Sequence, residues 1–237
     1  MANWCYAEYT LTGDKQELDA VYELMHGLET MAQPRVENGF GNTFLGCLVD
    51  ALGGDWENTL CRGKWGELKR LEDRITFYAS TAWTPQNETW DLLCERFPSV
   101  RYYYRAEEGG NGLYETNDKD GVFYPERYHA LYVDEDEDYF EEWFETSDKV
   151  LAWVNEQSGL DFKSIKEIDK HYSNDNLPYC KIYKVDIISH DQDLLTRAII
   201  KTMKIEKSKD GEFVVNYDLS KSGLSEDTIR KLMEEKK

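Results

Sequence analysis

The fold is decided by residues 74–106, which read RITFYASTAWTPQNETWDLLCERFPSVRYYYRA. The first ten residues are rich in β-branched and aromatic side chains, which predicts a strand. Thr84 and Pro85 are typical of an N-cap and a first helical residue, and Phe97-Pro98 ends the predicted helix. Residues 100–106 have the composition of a strand again. This stretch therefore predicts a strand–helix–strand unit.

The residues before this stretch predict a similar unit joined to it by a hairpin. Alternating and helical apolar periodicities predict a strand, an amphipathic helix and a second strand, at residues 3–12, 15–29 and 60–71. Glycines mark residues 34–58 as a loop region with one short helix near 44–52. The complete order is the βαββαβ pattern of an antiparallel ferredoxin-like sheet. We predict an α+β fold in which hairpins after residue 106 extend this sheet.

A second region is predicted beyond residue 135. Its first element is a helix over 134–157, because five large apolar residues fall on one stripe: Phe140, Trp143, Phe144, Leu151 and Val154. The later predicted elements are a strand at 179–189, a helix at 191–203, a hairpin at 203–218 turning at 209–211, and a short helix from Ser225. We therefore predict a ferredoxin-like domain at 1–135 and a smaller α+β region at 136–237 packed on it.

The composition of the chain opposes several classes of function. The 237 residues include 28 Lys and Arg against 47 Asp and Glu, a net charge of -19. Binding to nucleic acid or to an anionic membrane needs a clustered basic surface, so we expect neither partner. No apolar run approaches the roughly 20 residues of a membrane helix. The first residues lack the basic and apolar regions of a signal peptide, so we expect a cytoplasmic protein.

The cysteines and histidines predict no metal site and no cofactor. The five cysteines have no Cys-x-x-Cys spacing, and most have apolar or aromatic neighbours that predict core positions. The four histidines lack partners at helical metal spacing. The chain also lacks a nucleophile elbow, a phosphate loop and a complete calcium loop. We therefore assign no catalytic, cofactor-binding or metal-binding residue from the sequence.

The most distinctive feature is the acidic segment 134–148, DEDEDYFEEWFETSD. On the predicted helix, Glu137, Glu141, Glu145 and Asp148 would share one side, and Phe140, Trp143 and Phe144 the other. A solvated helix face is the simplest interpretation of such a segment. The sharper one is an interaction surface for a partner with a basic surface. Its candidate residues are Asp134, Glu135, Asp136, Glu137, Asp138, Glu141, Glu142, Glu145 and Asp148.

Four short motifs follow one another in an order that resembles a known family. They are Asn3-Trp4-Cys5, Thr81-x-Trp83-Thr84-Pro85, Phe97-Pro98 and Glu107-Glu108-Gly109. The chain resembles the YubB-type family over roughly residues 1–130, although Ala7 stands where that family commonly has Asn. The resemblance implies a ferredoxin-like N-terminal domain and an origin on a plasmid, phage or other mobile element. It implies no chemistry.

Two functions follow as hypotheses. The first is a protein–protein interaction module with an acidic surface, in one form a mimic of DNA that inhibits a host protein. The second is an enzyme with a carboxylate-based site between the two predicted regions. An interaction module should present a convex acidic face. An enzyme should present a pocket of several hundred Å³ with convergent polar groups and perturbed carboxylates.

Overall fold

The structure is a computed structural model that describes residues 3–173, 176–207, 213–222 and 229–230. The strands are β1 (Trp4–Thr12), β2 (Gly63–Arg70), β3 (Arg74–Ala82), β4 (Arg101–Glu108), β5 (Leu113–Thr116), β6 (Tyr128–Val133), β7 (Tyr139–Phe144), β8 (Tyr179–Lys184), β9 (Asp186–Ile187), β10 (Met203–Lys207) and β11 (Phe213–Tyr217). The helices are α1 (Lys15–Glu29), α2 (Leu45–Ala51), α3 (Glu88–Arg96), α4 (Ser147–Ser158), α5 (Ile165–His171) and α6 (His190–Thr202), with a short 3-10 turn at Leu219–Lys221. The α+β class predicted from the sequence is confirmed.

The main sheet has six strands in the order β2-β3-β1-β4-β5-β9. All neighbours are antiparallel except β5 and β9, which are parallel. The central strand β1 alternates, so that Cys5, Ala7, Tyr9 and Leu11 lie on one face and are buried. Helices α1, α2 and α3 contribute to the core on this face, with Leu18, Val21, Met25 and Leu28 forming the apolar stripe of α1. Each such side chain contributes about 1.5–3 kcal/mol when fully buried.

Within the described part of the first unit, no helix packs directly on the opposite face of the main sheet, and we call this the open face. The segment 117–127 crosses part of it, held by a hydrogen bond between Tyr124 and Thr10 of β1 at 3.1 Å. A second sheet, in the order β7-β6-β8, covers another part. Its face toward the main sheet brings His129 and Tyr183 against Tyr114 of β5, with ring centroids 4.3 and 4.5 Å apart. Helices α4 and α5 complete a separate core on its other face.

The chain divides into two units, Met1–Ile187 and Ile188–Lys237. The boundary predicted at residues 135/136 falls inside the first unit, in the turn between β6 and β7. The described part of the second unit contains α6, the β10–β11 pair and the 3-10 turn. The turn predicted at 209–211 lies outside the described residues, as does most of the helix predicted from Ser225. None of the described helices is both long and apolar enough to cross a membrane.

The helix predicted over 134–157 is wrong in its first half. Residues 139–144 form strand β7, and α4 begins only at Ser147, where the Thr146 side chain accepts a hydrogen bond from the backbone N–H of Lys149. Phe140, Trp143 and Phe144 satisfy a helical spacing, but Phe140 and Phe144 also satisfy the two-residue period of a strand. Hydrogen bonds to β6 satisfy the backbone polar groups of this segment. No pattern within the segment itself predicts that pairing.

The start predicted for the second helix is also wrong. Helix α3 begins at Glu88, with Asn87 as its N-cap residue, rather than at Thr84 and Pro85. The carbonyl of Thr84 accepts hydrogen bonds from the side chains of Thr81 and Gln86 at 2.9 and 3.3 Å. These bonds hold a turn ahead of the helix, and Trp83 enters it with a φ of 72°.

The segment 117–127 depends on the buried carboxylate of Asp118. The backbone N–H groups of Phe123 and Tyr124 donate to Asp118 Oδ2 at 2.6 and 2.9 Å. We expect Asp118→Ala to lower the free energy of unfolding by about 1–3 kcal/mol, because it leaves the two buried backbone N–H groups without an acceptor. Urea denaturation followed by circular dichroism measures this. Asp120→Ala, at an exposed position in the same segment, should stay within about 0.5 kcal/mol of wild type, and equal losses in both variants would contradict the role of Asp118.

Candidate functional site

The five acidic residues 134–138 form the turn between β6 and β7 rather than a helix start. Asp134 shapes this turn, because its Oδ1 accepts the backbone N–H groups of Asp136 and Asp138, both at 2.9 Å. Glu137 adopts a φ of 67°, as a tight reversal requires. The side chains of Glu135, Asp136, Glu137 and Asp138 are exposed. We call residues 134–142 the acidic hairpin.

The other four predicted residues do not share one face. Alternation along β7 places Glu141 on the side of the main sheet and Glu142 on the opposite side. Glu145 forms an ion pair with Lys149 at 2.7 Å. Asp148 lies in the first turn of α4, where a carboxylate interacts favourably with the helix dipole. The structure therefore brings Glu141 toward the main sheet and leaves the remaining three elsewhere.

A crevice of about 100 Å³ opens where β7 meets the open face of the main sheet. Strand pairing builds it, since Tyr6 pairs with Glu107 and Glu8 pairs with both Arg105 and Tyr78. Paired residues of neighbouring strands project to the same face, so these five side chains converge. The lining residues are Tyr6, Ala7, Glu8, Tyr78, Arg105, Glu107 and Trp143. Tyr6 and Tyr78 are 57% and 46% exposed, so the crevice has an accessible aromatic rim.

Arg105 organises the charges at this crevice. Its guanidinium forms ion pairs with Glu8 at 2.7 Å and with Glu126 at 3.1 Å, and it lies 4.5 Å from the centre of a Trp143 ring. Burial raises the pKa of the Glu107 carboxyl, and the nearby charge of Glu141 raises it further, whereas Arg105 and a hydrogen bond from Trp143 act in the opposite direction. Glu107 is thus a partly desolvated carboxyl beside a second one.

His129 lies directly behind Trp143, with ring centroids 4.9 Å apart, and is only 1% exposed. Neither of its ring nitrogens makes a hydrogen bond to a described residue, although Nε2 lies 3.6 Å from the carboxylate of Glu141. Burial lowers the pKa of His129 to about 4, so the ring is neutral at pH 7. The oxygen of Glu141 near the ring also accepts the Tyr139 hydroxyl at 2.8 Å. His129 therefore adds no positive charge to this group of carboxylates.

A wider groove of about 690 Å³ continues along the open face from the crevice. Its sides are residues 67–74, around the turn between β2 and β3, and residues 122–124. It shares Glu8 and Tyr78 with the crevice. Its charged residues are nearly balanced, because Lys69 and Arg74 pair with Glu67 and Asp73. The unbalanced negative charge on the open face is at the crevice.

The cysteines do not contribute to either site. Cys5, Cys47, Cys61 and Cys180 are buried, and all five cysteines are free thiols. Burial raises the pKa of Cys61 and of Cys94 to about 11, which disfavours the reactive thiolate. Among the described residues, no group of three His, Cys, Asp or Glu could hold a metal ion.

Sequence reasoning missed most of the crevice. From the sequence alone, Glu107 is only an acidic residue before a glycine turn, and Tyr78 is only one residue of a predicted strand. The available signal was alternation, because Tyr6, Glu8 and Thr10 share one side of a strand whose other side is apolar or buried. A polar and aromatic side on the central strand of a predicted sheet indicates a face that is not packed by helices.

The lowered pKa of His129 predicts a pH dependence of stability. Between about pH 6.5 and pH 4 the unfolded chain takes up a proton on this histidine and the folded chain does not, so stability falls as the pH falls. We expect His129→Phe to remove this loss, which amounts to about 2 kcal/mol between about pH 7 and pH 4.5. Urea denaturation at the two pH values measures it.

The matched control is His190→Gln, at an exposed position at the start of α6. It should leave the pH dependence of stability as in wild type. Parallel curves for wild type and His129→Phe would show instead that the buried ring titrates normally, which would contradict its burial as a neutral group.

No protein-family model, curated protein or solved structure matches this chain. The chemistry of the crevice and of the acidic hairpin is therefore the basis for assigning a function.

Proposed function

We propose that the chain is a protein–protein interaction module whose acidic hairpin binds a basic surface on a partner. The observation that carries this proposal is the exposed tip of the hairpin. Glu135, Asp136, Glu137 and Asp138 are four consecutive exposed carboxylates, and none forms an ion pair with any described residue. Like charges this close repel one another and destabilise the free protein. A bound cationic partner would reduce this repulsion.

Exposed aromatic residues continue the hairpin beyond its charged tip. Tyr139 and Phe140 are 58% and 38% exposed on opposite sides of β7. A solvent-exposed ion pair contributes only about 0.2–1 kcal/mol, so charge mainly accelerates encounter and selects the sign of the partner. A few residues carry most of the affinity at typical interfaces, and tyrosine is among the residue types enriched there. The two features together suit a surface that attracts a basic partner and then buries one or both rings.

The order β2-β3-β1-β4 and the two helices α1 and α3 on one face support a ferredoxin-like arrangement of the first part of the chain. We propose this finer fold together with the resemblance to the YubB-type family. In that setting the basic partner would be a DNA-binding protein of the host, and the row of carboxylates would occupy the place of DNA phosphates.

A carboxylate-based enzyme is the second candidate. Glu107, with its raised pKa beside Glu141, has the environment of a general acid. The size of the crevice opposes this function, because about 100 Å³ is smaller than the roughly 300–1,000 Å³ of small-molecule sites. The wider groove has the volume but lacks the unbalanced carboxylates. We therefore place binding ahead of catalysis.

Salt-dependent capture tests the interaction function. The triple variant Glu135→Gln, Asp136→Asn, Glu137→Gln keeps Asp134 and its turn bonds, and it removes three charges. We expect immobilised wild-type protein to retain a basic partner from lysate at about 50 mM salt and release it at about 500 mM, where screening acts within a few ångström. The triple variant should retain at least about tenfold less, as loss of several steering charges implies.

The control is Glu23→Gln, Glu57→Gln, Glu95→Gln, which makes the same change in net charge at three exposed positions outside the hairpin. It should retain the partner as wild type does. Equal losses in the two variants would mean that net charge alone causes retention and would contradict a hairpin site. Release by a short DNA duplex, but not by polyglutamate at equal charge, distinguishes a DNA mimic from other acidic surfaces.

A further inference from the structure

We propose that the crevice at Tyr6, Tyr78, Glu107 and Trp143 binds the guanidinium group of an arginine side chain on the protein partner. This inference rests on the proposed function and adds a specific contact to it. The acidic hairpin would attract the basic partner, and the crevice would receive one of its side chains. The two sites are joined through β7, which carries Glu141 and Trp143.

The balance of charge at the crevice supports a cationic ligand. Two carboxylates, those of Glu8 and Glu107, line the crevice together with one guanidinium, that of Arg105. Two more carboxylates lie beside these groups, since Glu126 pairs with Arg105 and the charge of Glu141 acts on Glu107. Arg105 is engaged in ion pairs with Glu8 and Glu126, whereas Glu107 forms no ion pair within the described part of the chain. Since His129 is neutral at pH 7, the site carries an excess of negative charge that a second cation would offset.

The walls of the crevice favour a flat cation. Tyr6, Tyr78 and Trp143 are aromatic, and Arg105 already lies over a ring of Trp143 in the arrangement that a guanidinium prefers. A guanidinium can stack on an aromatic face and donate two parallel hydrogen bonds to one carboxylate. An ammonium group is more strongly hydrated and forms point contacts. The partly desolvated Glu107 carboxylate beside exposed tyrosines therefore selects arginine over lysine.

The accessible parts of the crevice are placed to receive a side chain from outside. Tyr6 and Tyr78 form an exposed rim, while Arg105 and its partner Glu126 lie deeper, with side-chain exposures of 16% and 23%. A volume of about 100 Å³ suits the end of one side chain rather than a whole peptide. The rest of a partner segment would follow the wider groove, which opens from the same two residues, Glu8 and Tyr78.

Titration with a minimal arginine tests this site without the partner. The probe is N-acetyl-arginine methylamide, added to the full chain, and the readout is the indole N–H resonance of Trp143, assigned with Trp143→Phe. We expect a saturable shift with a Kd on the order of millimolar, as befits one small cation. N-acetyl-citrulline methylamide has nearly the same shape without the charge and should give no saturable shift.

Variants assign the binding to named residues. Glu107→Gln should weaken the arginine probe about five- to tenfold, because it removes a charge-assisted hydrogen-bond acceptor. Tyr78→Leu should weaken it about threefold through loss of stacking. Glu156→Gln is the matched control, since Glu156 is exposed on α4, outside the crevice and the acidic hairpin. Its affinity for the probe should equal that of wild type.

The result that overturns the inference is a shift of equal size with the citrulline probe, or equal weakening in Glu107→Gln and Glu156→Gln. Failure of the inference is distinguishable from failure of the proposed function. The triple hairpin variant should keep the arginine shift while losing the partner, so a lost partner with an intact shift leaves the crevice site standing. A retained partner with no shift removes the crevice and leaves the hairpin.

Discussion

The guanidinium of Arg105 joins three parts of the first unit that are distant in sequence. It binds Glu8 of β1 within the main sheet, Glu126 of the segment that crosses the open face, and the ring of Trp143 in the second sheet. Hydrogen bonds to charged groups contribute about 1.5–3 kcal/mol each, and a cation over an indole adds about 0.5–2 kcal/mol. Arg105 therefore fixes Trp143 of β7 beside Glu8 of the main sheet, and this contact shapes the crevice.

Charge and packing oppose each other around that junction. Tyr114, His129, Trp143 and Tyr183 form an aromatic cluster that excludes water, with centroid separations of 4.3 to 5.7 Å among the rings in contact with Tyr114. The same burial that favours the rings disfavours charge, which keeps His129 neutral and raises the pKa of Glu107. The second sheet is held by contacts between aromatic side chains, while Glu107 beside it forms no ion pair with a described residue.

The sequence predicts the parts of this fold that are governed by local periodicity. The stripe of α1 and the alternation of β1 are each complete within one segment, so 15–29 and 3–12 come close to the observed bounds. Strand β7 could not be predicted in this way, because the segment becomes a strand only through pairing with β6, which lies elsewhere in the chain. The crevice could not be predicted from the sequence for the same reason. Its residues come from β1, β3, β4 and β7, and only the pairing register places Tyr6 opposite Glu107.

The partial cover of the open face explains why binding follows from this architecture. A sheet packed by helices on one face must either solvate its other face or cover it. Here the segment 117–127 and the second sheet cover the β4 and β5 side, and Tyr6 and Tyr78 remain exposed nearer the β2 edge. The boundary between covered and uncovered surface is where side chains are partly desolvated yet accessible. Glu107 lies on that boundary, and a carboxylate there gains more from an incoming cation than one in open water, since the local dielectric is lower.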